Sequence, residues 1–368
     1  MHVIDGLPLG GAERMLVDIA NATVAGGARV SACVTRSCTD LAAELDSRIF
    51  LHVLGRTRRF DVKGLQQFAH LVREERVSLL QAHSRSTLSL LSVVKMLGWL
   101  QTPIVLHDHF GSIERDFSVP AWFRLAGRFC LHGYVGVYTR LAQWAERAGV
   151  PRQRIHVIGN ALDLSRLQNG LALDLRRAFG FSAGDRVGIV VAGIRHDKGI
   201  DLLLQALTLA PLPPATKFLI IGDDADPAYG EQCRQLATQL KLDDCVRFVG
   251  KRQDVPDVIK GADFALMPSR SESGPLVLIE YMAIGLPFVS TQVGDIAHRS
   301  AQAGLPGFVP PDDPTAFRRA LDGLLGLSPS EREARGAMGR QLAWEHFDIQ
   351  KVIPRWNEIY RQALNGNR

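Results

Sequence analysis

The sequence predicts an α/β protein of two units, each a parallel sheet covered by helices, and three observations carry that expectation. At 368 residues the chain exceeds the size at which one core usually stops growing. Short apolar, β-branched runs recur, and a longer helical pattern follows each of them. The strand signal lapses once, from about residue 160 to 185, where Gly, Asp and Asn concentrate, so this stretch is the expected linker. Charged residues at 22% and hydrophobic ones at 46% describe an ordinary globular chain, neither disordered nor membrane-spanning.

Five strands are expected in the first unit, at His2–Ile4, Ala28–Val34, Leu79–Ala82, Ile104–Leu106 and Tyr134–Val137. Five more follow at Arg186–Val191, Lys217–Ile221, Val246–Phe248, Phe264–Met267 and Pro287–Ser290. The first strand is short, with a glycine-rich turn a few residues after Met1, so residues ahead of it are expected to be missing. The five cysteines, an odd number without C-x-x-C spacing, speak against a disulfide framework or a structural zinc site. A reducing compartment is expected. No apolar run reaches the roughly 18 residues of a spanning helix, and the N-terminus lacks the regions of a signal peptide. The expected location is therefore cytoplasmic. A net charge of +5 fits anionic partners, whether phosphates, nucleic acid or acidic lipid, without choosing among them.

Several turns carry candidate chemistry. "GLPLGGAERMLVDIA" (6–20) sets Gly10 and Gly11 between a strand and an amphipathic helix whose apolar face is Met15, Leu16 and Ile19. Glycines admit close backbone approach, and a helix N-terminus offers N–H groups to a phosphate, although a plain strand-to-helix turn has the same look. "VVAGIRHDKGIDLLLQAL" (190–207) opens the second unit in the same way and adds Arg195 and Lys198. Two cations after a buried strand can neutralise a diphosphate; solvated loop cations are the alternative. "FLIIGDDADPAYG" (218–230) places permissive Gly222 at a strand end, with Asp223 and Asp224 read as turn residues.

"SRSESGPLVLIEYMAIGLPFVS" (269–290) holds Glu272 and Glu280, with a helix start between them. Pro275 suits the first helical turn, which leaves the N–H groups of Leu276 and Val277 open to phosphate oxygens. The two carboxylates can accept hydrogen bonds from sugar hydroxyls. Equally, Glu272 can cap the helix while Glu280 faces solvent. "TPIVLHDHFGS" (102–112) puts His107 and His109 just past a buried strand, and His83 ends the strand before it. Spacing of two can serve a metal, but no third ligand is visible nearby. A neutral imidazole bonded to substrate is the preferred reading.

Taken together, these segments resemble the retaining glycosyltransferases of the GT-B fold, specifically glycosyltransferase family 4. The motifs occur in the family's order over nearly the whole chain: "GGAER", "QAHS", the strand ending at His109, "VIGNALD", "IRHDKG", "IIGDD", "VRFVGKRQDVPDVIKGADFALMPS", "ESGPLVLIE" and "GFVPPDDP". Of these, the E-x7-E spacing of Glu272 and Glu280 is the most specific.

The resemblance implies two Rossmann-like domains facing a cleft. Residues 1–160 would form the acceptor-side domain and 161–348 the nucleotide-sugar domain, with a C-terminal helix, 349–364, returning to the first. It implies a donor that is a nucleoside diphosphate sugar, an acceptor that is a saccharide or lipid-linked, retention of anomeric configuration, and no metal or other cofactor. Glu272 would contact donor-sugar hydroxyls and Glu280 the ribose. The amides of Leu276 and Val277, with Arg195, Lys198 and Gly11, would hold the diphosphate. His109 would stand near the reacting carbon, and Lys251 and Arg252 would border the base. One departure is visible. Where the family often has an arginine five residues before the lysine this chain has Gly193, and Arg195 lies only three before Lys198.

A nucleotide-sugar-binding protein without transferase activity is the rival reading, and loss of a motif glutamate or histidine would mark it. Neither is lost. A phosphorylase would need a pyridoxal-phosphate lysine context, which is not found, and no G-x-G-x-x-G marks a dehydrogenase. No nucleic-acid partner is expected. "GRTRRFDVK" (55–63) is the best basic candidate for peripheral contact with an anionic membrane on its inner face, although a solvated loop is the preferred reading.

Overall fold

The computed structural model describes residues 1–58 and 61–366. The chain divides into two compact units, one of Met1–Leu162 with Asp348–Arg368 and one of Asp163–Phe347. In the first unit the strands are β1 (His2–Ile4), β2 (Ser31–Val34), β3 (Phe50–Val53), β4 (Leu80–Ala82), β5 (Ile104–Asp108), β6 (Leu131–Gly136) and β7 (Ile155–Val157). They form one sheet in the order β3-β2-β1-β4-β5-β6-β7, and every pairing is parallel. The second unit holds β8 (Arg186–Val191), β9 (Thr216–Ile221), β10 (Val246–Gly250), β11 (Phe264–Met267), β12 (Phe288–Thr291) and β13 (Phe308–Val309). Their order is β10-β9-β8-β11-β12-β13, again all parallel.

Each sheet reverses its strand order beside its first strand, between β1 and β4 and between β8 and β11. In open α/β sheets ligands bind past the carboxyl ends of strands at such a reversal. The central strands are apolar because helices cover both faces; every residue of β5 and β11 is buried. Sequence reading missed β3, β7 and β13, and all three are sheet edges. An edge strand keeps part of its surface in water and so loses the continuous apolar run, as the exposed Phe50 and Val53 of β3 illustrate.

The helix Gly11–Ala25 buries Met15, Leu16 and Ile19 on the expected face. The helix Ile349–Asn365 starts at an Asp348 cap, which accepts from the Gln350 N–H at 3.0 Å. It lays the fully buried Trp356 within the first unit, packing on the helix Gly11–Ala25 and on β5 and β6.

The two units divide between Leu162 and Asp163, inside the stretch 160–185, and most of that stretch is folded into the second unit. It contains a short 3₁₀ turn, Leu164–Leu167, and a helix, Leu175–Phe179, and buries Leu164, Leu167 and Leu175. Its polar residues cap these turns, with Asp163 and Asp174 each accepting from a backbone N–H two or three residues on.

Candidate functional site

In the second unit, two loops meet past the carboxyl ends of β8 and β11. The first carries Arg195 and Lys198, and the second runs from Pro268 to Gly274. Gly199 makes the meeting possible. It is left-handed at φ 64°, and any Cβ there would collide with the Pro268 carbonyl oxygen. The Arg270 N–H donates to the Asp197 carbonyl at 2.7 Å. The Arg270 guanidinium then locks the loops, with two bonds to Asp201 at 2.6 and 2.8 Å, one to Asp312 at 2.7 Å and one to the His196 carbonyl. The bidentate bond to Asp201 raises the Arg270 pKa further. Arg270 lies inside the stretch 269–290, but nothing local there shows that its partners come from distant segments.

Within this frame Lys198 Nζ donates to Glu272 Oε1 at 2.6 Å, and Ser269 Oγ donates to the same oxygen at 2.9 Å. Glu272 is buried and caps nothing, since the helix Leu276–Ile284 has no side-chain cap. Pro275 is the residue before that helix rather than in its first turn. Leu276 and Val277 therefore open it, and the first N–H groups of a helix have no acceptor inside it. Glu280 is not a solvated helix residue either. Its Oε1 accepts from Arg166 Nη2 at 2.6 Å, and both side chains are largely covered. Arg166 comes from the supposed linker, which is why it was missed.

The remaining expected residues of this unit are more loosely placed. Arg195 is about half exposed and pairs within its own loop with Asp197 at 2.9 Å. Arg252 forms a two-pronged pair with Asp254 at 2.5 and 2.7 Å. Gly222 is required for packing, because a Cβ would strike the Ala192 carbonyl. Asp224 pairs with Arg234 at 2.8 Å, in keeping with a turn residue.

In the first unit Gly10 precedes the helix Gly11–Ala25 and Gly11 begins it. Of the histidines, His2 begins β1 and His83 follows β4. His107 sits inside β5, fully buried, rather than beyond its end. His109 follows the strand. His83 bonds His2 through ring nitrogens 2.9 Å apart. The His107 ring stands 3.9 Å from that of His109 and 4.6 Å from that of Trp356. Burial holds His109 and His2 down to about 3 and pushes His83 and His107 well below the usual value, so all four are neutral near pH 7.

Sequence reading found no third ligand for a metal; the fold supplies one. Ring nitrogens of His83, His107 and His109 lie within 4.8 Å of one another, a donor set that a borderline cation such as zinc can use. Asp108 steadies the loop that carries His109. It accepts from Arg85 at 2.9 Å and from the Tyr134 hydroxyl at 2.7 Å, and its other oxygen accepts from the Phe110 N–H at 3.1 Å.

Residues 9–166 match the family profile described as Glycosyltransferase Family 4, and residues 185–326 match the one described as Glycosyl transferases group 1. The chain belongs to glycosyltransferase family 4. This family 4 chain is 27% identical over 222 residues to the N-acetyl-alpha-D-glucosaminyl L-malate synthase of Bacillus anthracis, a match covering 59% of the chain and 56% of the relative. The match thus spans about half the length of that curated relative. Its fold is similar to that of Anabaena Alr3699/HepE, solved in complex with UDP and glucose, with a TM-score of 0.83, 19% identity and 98% of each chain covered. WaaG, a glycosyltransferase involved in lipopolysaccharide biosynthesis, aligns with a TM-score of 0.71 and 17% identity over 97% of this chain and 98% of that one. These likenesses show the GT-B fold. Among the described residues no helix is long and apolar enough to cross a membrane.

Proposed function

We propose that this family 4 chain is a retaining glycosyltransferase that moves a sugar from a nucleoside diphosphate sugar to a saccharide or lipid-linked acceptor, in the synthesis of cell-surface polysaccharide or lipopolysaccharide. The observation that carries the reading is the buried Lys198–Glu272 pair, beside a helix start whose first N–H groups are open. A diphosphate leaving group gains negative charge as the glycosidic bond breaks. A fixed ammonium and oriented amides stabilise that charge most where it is greatest, in the transition state.

The pairing also suggests a division of labour. In the free protein Lys198 neutralises Glu272. When donor arrives, the ammonium can turn to the diphosphate while the carboxylate accepts bonds from sugar hydroxyls. Glu280, held by Arg166, is proposed to bind the ribose hydroxyls, with the amides of Leu276 and Val277 and the Arg195 guanidinium on the phosphates. Arg252 and Gly222 are proposed to border the nucleotide, and Gly10 and Gly11 to allow close approach at the first helix. His109, neutral through burial, is proposed to hydrogen-bond at the donor sugar near the reacting carbon. The first unit is proposed to take the acceptor and the second the donor. No metal takes part in this proposal.

A stability screen with UDP-, GDP- and ADP-sugars, followed by transfer assays with the sugar that binds, tests the reading, because a ligand that binds the native state raises the melting temperature by mass action. No stabilisation by any of the three classes rejects it. A loss of transfer on adding EDTA rejects metal independence and would direct attention to the three histidines.

A further inference from the structure

The basic stretch 55–63 plays no part in the proposed donor chemistry. Arg59 and Phe60 lie outside the described residues. Arg56 and Arg58, however, line an open pocket in the first unit, with Arg36, Asp5, Ser86 and Ser89. The pocket lies where a sheet of this kind places ligands, past the carboxyl ends of β1, β2 and β3. Ser86 stands in the first turn of the helix Arg85–Met96, whose positive end favours an anion.

We propose that this pocket holds a phosphate or carboxylate group of the acceptor, an assignment to the acceptor that rests on the transferase reading above. Three arginines line it beside one lining carboxylate, and Arg56 Nη2 donates to the Arg58 carbonyl at 3.3 Å. That carboxylate, Asp5, is already bonded by the Thr35 hydroxyl at 2.8 Å. Confining like charges is unfavourable, and a bound dianion would relieve the repulsion through charge-assisted bonds suited to the guanidinium fork.

The surrounding fold is shaped to seat Arg56. Gly64 is the third residue of the helix Val62–Glu74, and a Cβ on it would lie only 2.7 Å from Arg56 Cγ. A glycine inside a helix is disfavoured relative to alanine. Here its bare face is where the arginine stem lies. Burial and the neighbouring Arg36 disfavour the Arg56 charge, and Asp5 and Asp61 partly offset them.

The test titrates the full chain with inorganic phosphate by calorimetry, for the wild type and for Arg36→Gln, Arg58→Gln and Lys198→Ala. Arg36 is exposed, so its substitution tests the charge without emptying a core position. The proposal expects a saturable phosphate site that persists in Lys198→Ala, which removes the cation of the donor site, and that weakens at least about tenfold in each arginine variant, the size of one lost charge-assisted bond. Phosphate binding of unchanged stoichiometry and affinity in both arginine variants, or binding that falls only with Lys198→Ala, overturns it. Sedimentation with phosphatidate-containing vesicles, dependent on Arg36, identifies a lipid headgroup as the source. Binding of glucose 6-phosphate in the same Arg36-dependent way, without vesicle binding, identifies a soluble acceptor. Nucleotide-sugar binding measured on the same proteins separates the two readings. A wild type that takes phosphate at Arg36 and no nucleotide sugar breaks the transferase reading and keeps the pocket; the reverse breaks the pocket alone.

Discussion

Lys198 Nζ stands 2.6 Å from Glu272 Oε1, joining two loops whose residues are 74 positions apart in the chain. Both side chains are mostly withdrawn from water, at 16% and 11% exposure, so neither charge is well solvated without the other. Lys198→Ala is expected to lower kcat by roughly 10²–10³, the size seen when one group stabilising transition-state charge is removed, with a smaller change in donor affinity. Steady-state kinetics check this. A raised donor KM with kcat intact would show that Lys198 only binds.

Glu280→Ala is expected to weaken nucleotide-sugar binding by roughly 1.5–3 kcal/mol, because ribose bonds to a carboxylate are made in the ground state. Arg166→Ala should weaken it as well, by freeing the carboxylate that Arg166 holds at 2.6 Å. Calorimetry with the donor identified in the screen decides the matter. Unchanged affinity in Glu280→Ala removes the ribose assignment.

Arg270→Ala is expected to lower the melting temperature by several degrees and to lower transfer, since it deletes the bonds from Arg270 to Asp201, Asp312 and His196 at once. Arg270→Lys cannot restore the two-pronged bond to Asp201 and should recover only part of either loss. Full recovery by lysine would mean that charge alone, not the fork, holds the two loops.

The histidines held neutral in the first unit set a pH dependence of stability. His2 and His109 are held down to about 3 by burial, against 6.5 for the same groups unfolded. Between these values the unfolded chain binds more protons than the folded one, so stability rises with pH. The contribution is fully present above about pH 6.5 and is lost as pH falls toward 3, at about 1.4 kcal/mol per pH unit for each histidine. Urea unfolding at a series of pH values should show this slope, and His109→Gln should reduce it. The same neutrality predicts that transfer shows no ionisation of His109 near pH 6.5, and His109→Ala is expected to abolish transfer with the fold intact. An active His109→Ala protein would point instead to His107 or His83.

The sequence by itself determined the fold class, the central strands and the motif order. Those features are written locally: β8 and β11 are buried on both faces and so are apolar throughout their cores, and the glycine and proline punctuation sits beside them. It also singled out Glu272, Glu280, Lys198 and the three histidines, because charged or titratable side chains at strand ends stand out against an apolar background. Only the tertiary structure decided their partners. That Lys198 meets Glu272, that Arg166 from an unremarkable turn holds Glu280, that His83 joins His107 and His109, and that Arg36 lines one pocket with Arg56 and Arg58 all depend on which strands lie side by side. Strand order is fixed by crossovers and packing between distant segments, and no local pattern records it. Three of the four edge strands, β3, β7 and β13, were illegible for a related reason: partly in water, they carry too little apolar signal to be seen until a neighbour's free hydrogen bonds call for them, whereas the edge strand β10 kept enough of it to be read.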